Sequence, residues 1–348
     1  MDEKQPTLAD LGWRPFFQQQ LRLDELTEFS LGRIVEHHRS HIVVLGERGP
    51  IHVLVPPQSD AVCVGDWVLF DTARRLHRCL DAQSLFKRRA PGSKVEAQLI
   101  AANVDRVFVV CSLNQDFNLS RIERYLALAK EAEVEAIVVL TKADLCADAE
   151  AKCQQVQALD SRLIVHAINA LNASDLELLA SYCQKGSTVA LLGSSGVGKS
   201  TLVNGLLGFE AQHTRSIRAD DGKGRHTTTA RALKWLPSGG LLMDTPGMRE
   251  LQLSDCEQGV SDTFAEIIEL AERCRFSDCQ HEREPGCAVQ KAIAENALSQ
   301  RRLDSYRKLQ REQALNTATL AEKRAKDKAF GKMIGKVQKQ SRHHKKGY

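Results

Sequence analysis

Gly193-Ser194-Ser195-Gly196-Val197-Gly198-Lys199-Ser200 follows the apolar run Thr188–Leu192 and leads through Thr201 into T-L-V-N-G-L-L-G, residues 201–208. The octapeptide fits G-x-x-x-x-G-K-[ST], a phosphate-binding P-loop, and its flanks supply the strand and helix that such a loop needs. Glycines let backbone N–H groups curl around phosphate oxygens. The Lys199 ammonium can neutralise β and γ phosphates, and the Ser200 hydroxyl can ligate Mg²⁺. The surrounding pattern agrees. Apolar β-rich runs at 106–110, 136–140, 163–167, 188–193 and 241–244 alternate with helical stretches such as 118–133. Such alternation predicts βαβ units and a parallel sheet.

Three further motifs stand at the ends of those runs. Asp244-Thr245-Pro246-Gly247 closes the run 241–244, 45 positions after Lys199. A carboxylate there can hold the Mg²⁺ shell through water, and the Gly247 N–H can sense a γ-phosphate. Thr141-Lys142-Ala143-Asp144 ends the run 136–140 and resembles N-K-x-D. In that motif the Asp accepts from guanine N1–H and N2–H₂, a donor pair that adenine lacks, while the Lys stem covers the base. Thr141 in place of Asn is expected to weaken one contact to the base or the P-loop. Asn169-Ala170, after 163–167, sits where GTPases carry Ser-Ala with a backbone N–H on guanine O6.

The order of these motifs is informative. Ras-like GTPases have the P-loop first and the guanine motifs last; here 141–144 and 169–170 precede it. The same pocket forms if the chain is circularly permuted, which is tolerated when old termini lie close together. Between P-loop and Asp244 lies Gly224-Arg225-His226-Thr227-Thr228-Thr229. By spacing, Thr228 is the first candidate to join Ser200 on Mg²⁺ and the γ-phosphate, with Thr227 and Thr229 as alternatives. Met248 stands just beyond Gly247, where Ras-like enzymes carry a water-orienting Gln. His226 is the best nearby group for that water.

Cys274-x₄-Cys279-x-His281-x₅-Cys287 offers three sulfurs and one imidazole, the donor set of a closed tetrahedral Zn²⁺ site. With no spare position, the ion's role is structural. The other seven of ten cysteines are scattered, which suits buried thiols in a reducing cytoplasm rather than a disulfide framework.

Near the start, bursts at 31–37, 41–46, 50–56, 64–71 and 76–82 are separated by turn signals. Five short strands in that space predict a small Greek-key barrel such as an OB-fold, which periodicity alone does not separate from an SH3-like barrel. Hydrophobic residues make up 43% of the 348 and charged residues 26%, ordinary values for a soluble globular protein. No apolar run approaches a membrane span and the acidic N-terminus lacks signal-peptide order, so a membrane or secreted protein is not expected. Net charge is +4, yet residues 321–348 alone carry ten Lys or Arg against two acids. A basic tail of this kind finds polyanions. Arg74, Arg75, Arg78 and the run Lys87-Arg88-Arg89 are candidate RNA-backbone contacts on the barrel. Trp67 and Phe70 are its few aromatics, so base stacking is not expected to dominate.

The combination of barrel, permuted guanine motifs, G-R-H-T-T-T, D-T-P-G-M and C-x₄-C-x-H-x₅-C resembles the bacterial RsgA (YjeQ) family of circularly permuted GTPases over about residues 30–310. The resemblance implies a multidomain α/β chain. Its expected parts are an N-terminal arm (1–30), an OB-fold β-barrel (31–92), a circularly permuted P-loop GTPase domain (93–255), a helical zinc-binding module (256–310) and a basic C-terminal helix and tail (311–348). It implies a cytoplasmic monomer that hydrolyses GTP to GDP and phosphate. The partners it implies are the 30S ribosomal subunit, 16S rRNA and other assembly factors, with late subunit maturation as the task. The cofactors are Mg²⁺ with GTP and one structural Zn²⁺. His226 matches the family's switch histidine, with Lys199 and Thr228 beside it as catalytic groups. The competing reading is a GTP-gated RNA-binding scaffold with incidental hydrolysis, which Met248 keeps open.

Overall fold

The structure is a computed structural model and describes residues 6–38, 40–89, 97–208, 231–244, 248 and 256–317. His226, Thr228, Gly247 and the basic tail lie outside the described residues. Two short helices, Pro15–Gln18 (α1) and Leu23–Glu28 (α2), precede Ser30–His37 (β1), His41–Gly46 (β2), Gly49–Leu54 (β3), Trp67–Phe70 (β4) and Leu76–Cys79 (β5). Strand β1 pairs antiparallel with β2 and β4, β2 with β3, and β4 with β5. A parallel bridge from Leu54 to Arg75 closes the ring in the order β1-β2-β3-β5-β4, a five-stranded OB barrel. Ile34, Ile42, Val44, Val53 and Val68 fill its interior.

The barrel's outer residues differ in part from expectation. Trp67 and Phe70 are buried and offer no stacking surface. Trp67 packs with Leu11 and Phe17 of the arm, which is therefore part of the core. Arg78 donates to both carboxylate oxygens of Glu25 and to the Gln20 carbonyl, so its guanidinium is already engaged. That bond holds the Glu25 carboxyl down at about 2.

Beyond the barrel, Leu85–Arg89 (β6) and Ala97–Ala102 (β7) pair as a separate antiparallel ribbon. The main sheet follows with Arg106–Ser112 (β8), Glu135–Thr141 (β9), Ile164–Ile168 (β10), Thr188–Leu192 (β11), Arg231–Trp235 (β12) and Leu241–Asp244 (β13). Its order is β10-β9-β8-β11-β13-β12, and all pairs but β12–β13 are parallel. Strand β12 then pairs antiparallel with β1, so the barrel and the parallel sheet share one hydrogen-bonded ladder. The sequence reading contains no strand at β6, β7 or β12. L-F-K-R-R, A-Q-L-I-A-A and R-A-L-K-W are short and poor in β-branched residues, so their partners decide their state.

Helices cover both faces of the sheet because β8 is apolar on both. Val107, Val109 and Cys111 share a core with Ile122 and Leu126 of Leu119–Glu131 (α3). Phe108 and Val110 face Leu179 of Ala173–Ala180 (α5) and Leu202 and Leu206 of Lys199–Leu206 (α6). Ala149–Gln157 (α4) leads into β10. The Asn118 side chain starts α3 by accepting from Arg121 N, a side-chain N-cap.

Glu257–Thr263 (α7), Ala265–Ala271 (α8), Ala288–Ala294 (α9) and Gln300–Thr317 (α10) complete the described elements. Helix α10 docks on α3 through Glu123, which is fully buried and takes hydrogen bonds from Arg301 and Arg302 at 2.8–3.0 Å. Arg302 also donates to Glu266 and lies over the Phe264 ring. Buried charges need such complete pairing. Among the described residues no helix is long and apolar enough to cross a membrane.

Candidate nucleotide site and metal centre

Ligands of open α/β sheets bind outside the carboxyl ends of the strands, and there the register gathers the sequence motifs. Thr141 ends β9 opposite Ser112 of β8 and Ile168 of β10. Leu192, the last residue before the P-loop, lies opposite Val109. Asp244 ends β13 beside β11. One rim therefore carries the P-loop, Asp244, Thr141–Asp144 and Asn169-Ala170.

The loop's backbone is dictated by close approach. Gly193 has φ +152°, and a Cβ there would lie 2.4 Å from the Val110 carbonyl oxygen, so only glycine lets the loop leave β11. Lys199 is buried, and its ammonium donates back to the Gly193 carbonyl at 2.7 Å and to the Ser194 carbonyl. The cation is thereby fixed at the centre of the loop. Ser195, Gly196, Ser200 and Thr201 are exposed on the rim, while Val197 anchors the loop in the core. The hydroxyls of Ser194 and Tyr125 on α3 lie 3.3 Å apart. The sequence reading missed Tyr125, since only the packing of α3 brings it to the loop.

Thr141, which stands where N-K-x-D has Asn, contacts the P-loop directly. Its buried hydroxyl donates to the Val197 carbonyl at 2.6 Å, tying the guanine motif to the P-loop. Lys142 adopts a left-handed φ of 62°, and its ammonium donates to the Gly196 carbonyl at 3.4 Å. Its stem thus runs towards the loop. Asp144 is exposed on the 3-10 turn that follows. The Asn169 side chain accepts from Leu171 N at 3.0 Å and Asp175 accepts from Asn169 N at 2.7 Å, which fixes this loop as an Asx turn. Met248 is buried in the main core, so its side chain faces away from solvent.

At the C-terminal side, one ligand atom from each of Cys274, Cys279, His281 and Cys287 lies within 4.8 Å of all the others. Cys274 and Cys287 sulfurs are 3.8 Å apart, and His281 Nδ1 lies 3.6 and 3.5 Å from them. Zn–S bonds of about 2.3 Å and a Zn–N bond of about 2.0 Å in a tetrahedron separate two sulfurs by roughly 3.8 Å and sulfur from nitrogen by roughly 3.5 Å. The donor set fits Zn²⁺, and so does the spacing of Cys274, His281 and Cys287. The loop is shaped for this: His281 has φ 59°, Gly286 has φ 78°, and the Gln290 amide donates to the His281 carbonyl.

The family model described as RsgA GTPase matches residues 79–254, half of the chain. The "Small ribosomal subunit biogenesis GTPase RsgA 2" of Vibrio parahaemolyticus is 55% identical over 341 residues, covering 98% of this chain and 95% of the relative. The chain belongs to the RsgA GTPase family. In keeping with that membership, it is similar to the crystal structure of YjeQ from Thermotoga maritima. The TM-score is 0.59 at 25% identity, over 81% of this chain and 97% of that one. YloQ, described as a circularly permuted GTPase, shares the fold with a TM-score of 0.54 at 22% identity, over 83% and 96% of the two chains. The protein is thus a GTPase, with its 141–144 and 169–170 motifs placed before its P-loop in the chain, and GTPase chemistry brings Mg²⁺ with its nucleotide. The hard oxygen donors of Ser200 and Asp244 on the rim suit that ion.

Within the family frame one further contact stands out: Lys234 of β12 donates to Asp244 Oδ2 at 3.0 Å. No sequence signal marks it, because it depends on the β12–β13 register. Zinc content is expected at about one ion per chain. Cys287→Ser should lose most of that zinc and expose the 274–287 loop to proteolysis while guanine-nucleotide binding persists. Full zinc retention in Cys287→Ser, measured by elemental analysis, would count against the site.

Proposed function

We propose that the protein acts on the small ribosomal subunit in late maturation, with GTP hydrolysis stimulated by the 30S particle and coupled to release of assembly factors. The observation that carries this reading is likeness over nearly the whole chain to a relative whose name is small ribosomal subunit biogenesis GTPase. It extends beyond the nucleotide pocket to the barrel and the zinc module, which are the parts that would meet RNA. In the pocket, Gly193 to Thr201 hold phosphates, Lys142 and Asp144 read guanine, and Asn169 and Ala170 line the base. Ser200 and Thr228 hold Mg²⁺, with Asp244 and Gly247 as the second switch. His226 orients the attacking water, a task the buried Met248 leaves vacant. One Zn²⁺ on Cys274, Cys279, His281 and Cys287 braces the module structurally.

The test is GTP turnover by the purified protein alone, with 30S subunits and with 50S subunits. A large increase with 30S alone is expected. Equal rates in all three, with nucleotide binding intact, would reject the ribosomal reading.

A further inference from the structure

Strands β12 and β13 run antiparallel with Ala232 opposite Asp244 and Lys234 opposite Leu242. Lys234 and Ala232 are two residues apart and so share a face of the strand, which makes Lys234 the diagonal neighbour of Asp244. The diagonal is closed by the 3.0 Å bond between Lys234 Nζ and Asp244 Oδ2. Strand β12 is held from both edges, since Ala232 is also opposite Glu36 of β1. The lysine stem is therefore rooted in a strand pinned between the barrel and the nucleotide sheet. Its ammonium is a tethered cation on the carboxylate that ends β13.

That carboxylate is the one assigned above to the Mg²⁺ shell, and the inference rests on that assignment. A carboxylate paired with an ammonium is a poorer acceptor for metal-bound water. The two side chains are 39% and 19% exposed, so the pair is partly screened but close. We infer that Lys234 is a positioning residue that competes with Mg²⁺ for Asp244 and thereby sets the Mg²⁺ concentration at which the protein holds GTP. The nucleotide-binding rim then carries its own internal counter-ion, and the metal must displace it.

Equilibrium binding of a fluorescent, non-hydrolysable GTP analogue can be followed while Mg²⁺ is titrated, with the Mg²⁺-free affinity of each variant as its reference. Lys234→Met is expected to lower the half-saturating Mg²⁺ about three- to fivefold, the scale of a partly exposed ion pair. Lys234→Arg keeps a cation and should stay near the parent value. Asp244→Asn should raise the midpoint, and adding Lys234→Met to it should then have no further effect. An unchanged or raised midpoint in Lys234→Met, with Asp244→Asn raised, overturns the competition while leaving the role of Asp244 standing. An Asp244→Asn midpoint equal to the parent's overturns both. Circular dichroism melts of each variant confirm that the fold is kept.

Discussion

Replacing Lys199 by Ala is expected to weaken GTP binding by two to three orders of magnitude. The ammonium is buried at the centre of the P-loop, held by the Gly193 and Ser194 carbonyls. In that position it can meet phosphate oxygens in a setting with little water. A hydrogen bond to a charged group contributes about 1.5–3 kcal/mol, and two phosphate contacts at about 1.5–2 kcal/mol each, the lower part of that range, give about 3–4 kcal/mol, or several hundredfold at about 1.4 kcal/mol per decade. The loop itself should survive, because its shape rests on Gly193 against Val110 and on the tie from Thr141 to Val197. Isothermal titration of GTP and GDP checks this. A loss below tenfold would mean that backbone N–H groups carry the phosphates almost alone.

The second large effect is expected far from the nucleotide. Arg33 of β1 is buried and donates to the Gly65, Leu11 and Asn103 carbonyls and to the Thr188 hydroxyl, at 2.7–3.0 Å. One guanidinium thus joins the arm, the barrel, the connection into β8 and the strand that feeds the P-loop. Burial pushes its pKa down to about 10, which leaves it charged at neutral pH. Arg33→Met leaves the buried Leu11 and Asn103 carbonyls without their donor and should cost about 3–5 kcal/mol. The corresponding loss in melting temperature is roughly 4–7 °C. Arg33→Lys should rescue little, because a single ammonium cannot span four acceptors that the planar fork reaches. Arg75→Met is the contrast. Arg75 pairs with Asp71 four residues away at 63% exposure, and surface pairs of that kind contribute about 1 kcal/mol or less. Equal melting temperatures for Arg33→Met and Arg75→Met would refute the hub.

What was legible in advance was whatever a short stretch of chain completes by itself. The P-loop, D-T-P-G and T-K-A-D are each a few residues at a strand end, so the strand–loop–helix context that gives them meaning is contiguous in sequence. The four candidate zinc ligands lie within one stretch of 14 residues, where Gly286 and His281 adopt left-handed backbone conformations and the spacing brings four donors together. The permuted order was likewise readable, because it is a statement about sequence order. The barrel strands declared themselves by turns between β-rich bursts.

The rest is decided by register between elements remote from one another. Arg33 finds Thr188 across 155 residues, and Thr141 finds Val197 across 56. Nothing local distinguishes Arg33 from Arg78, yet one is a buried hub and the other is spent on Glu25. Strand β12 owes its state to β1 and β13 on its two edges, and only that ladder sets Lys234 on Asp244. A motif carries its chemistry in its residue types, and those are written in the chain. The partner of a polar side chain depends on which surfaces the hydrophobic core brings face to face, and that is settled only when the whole chain has packed.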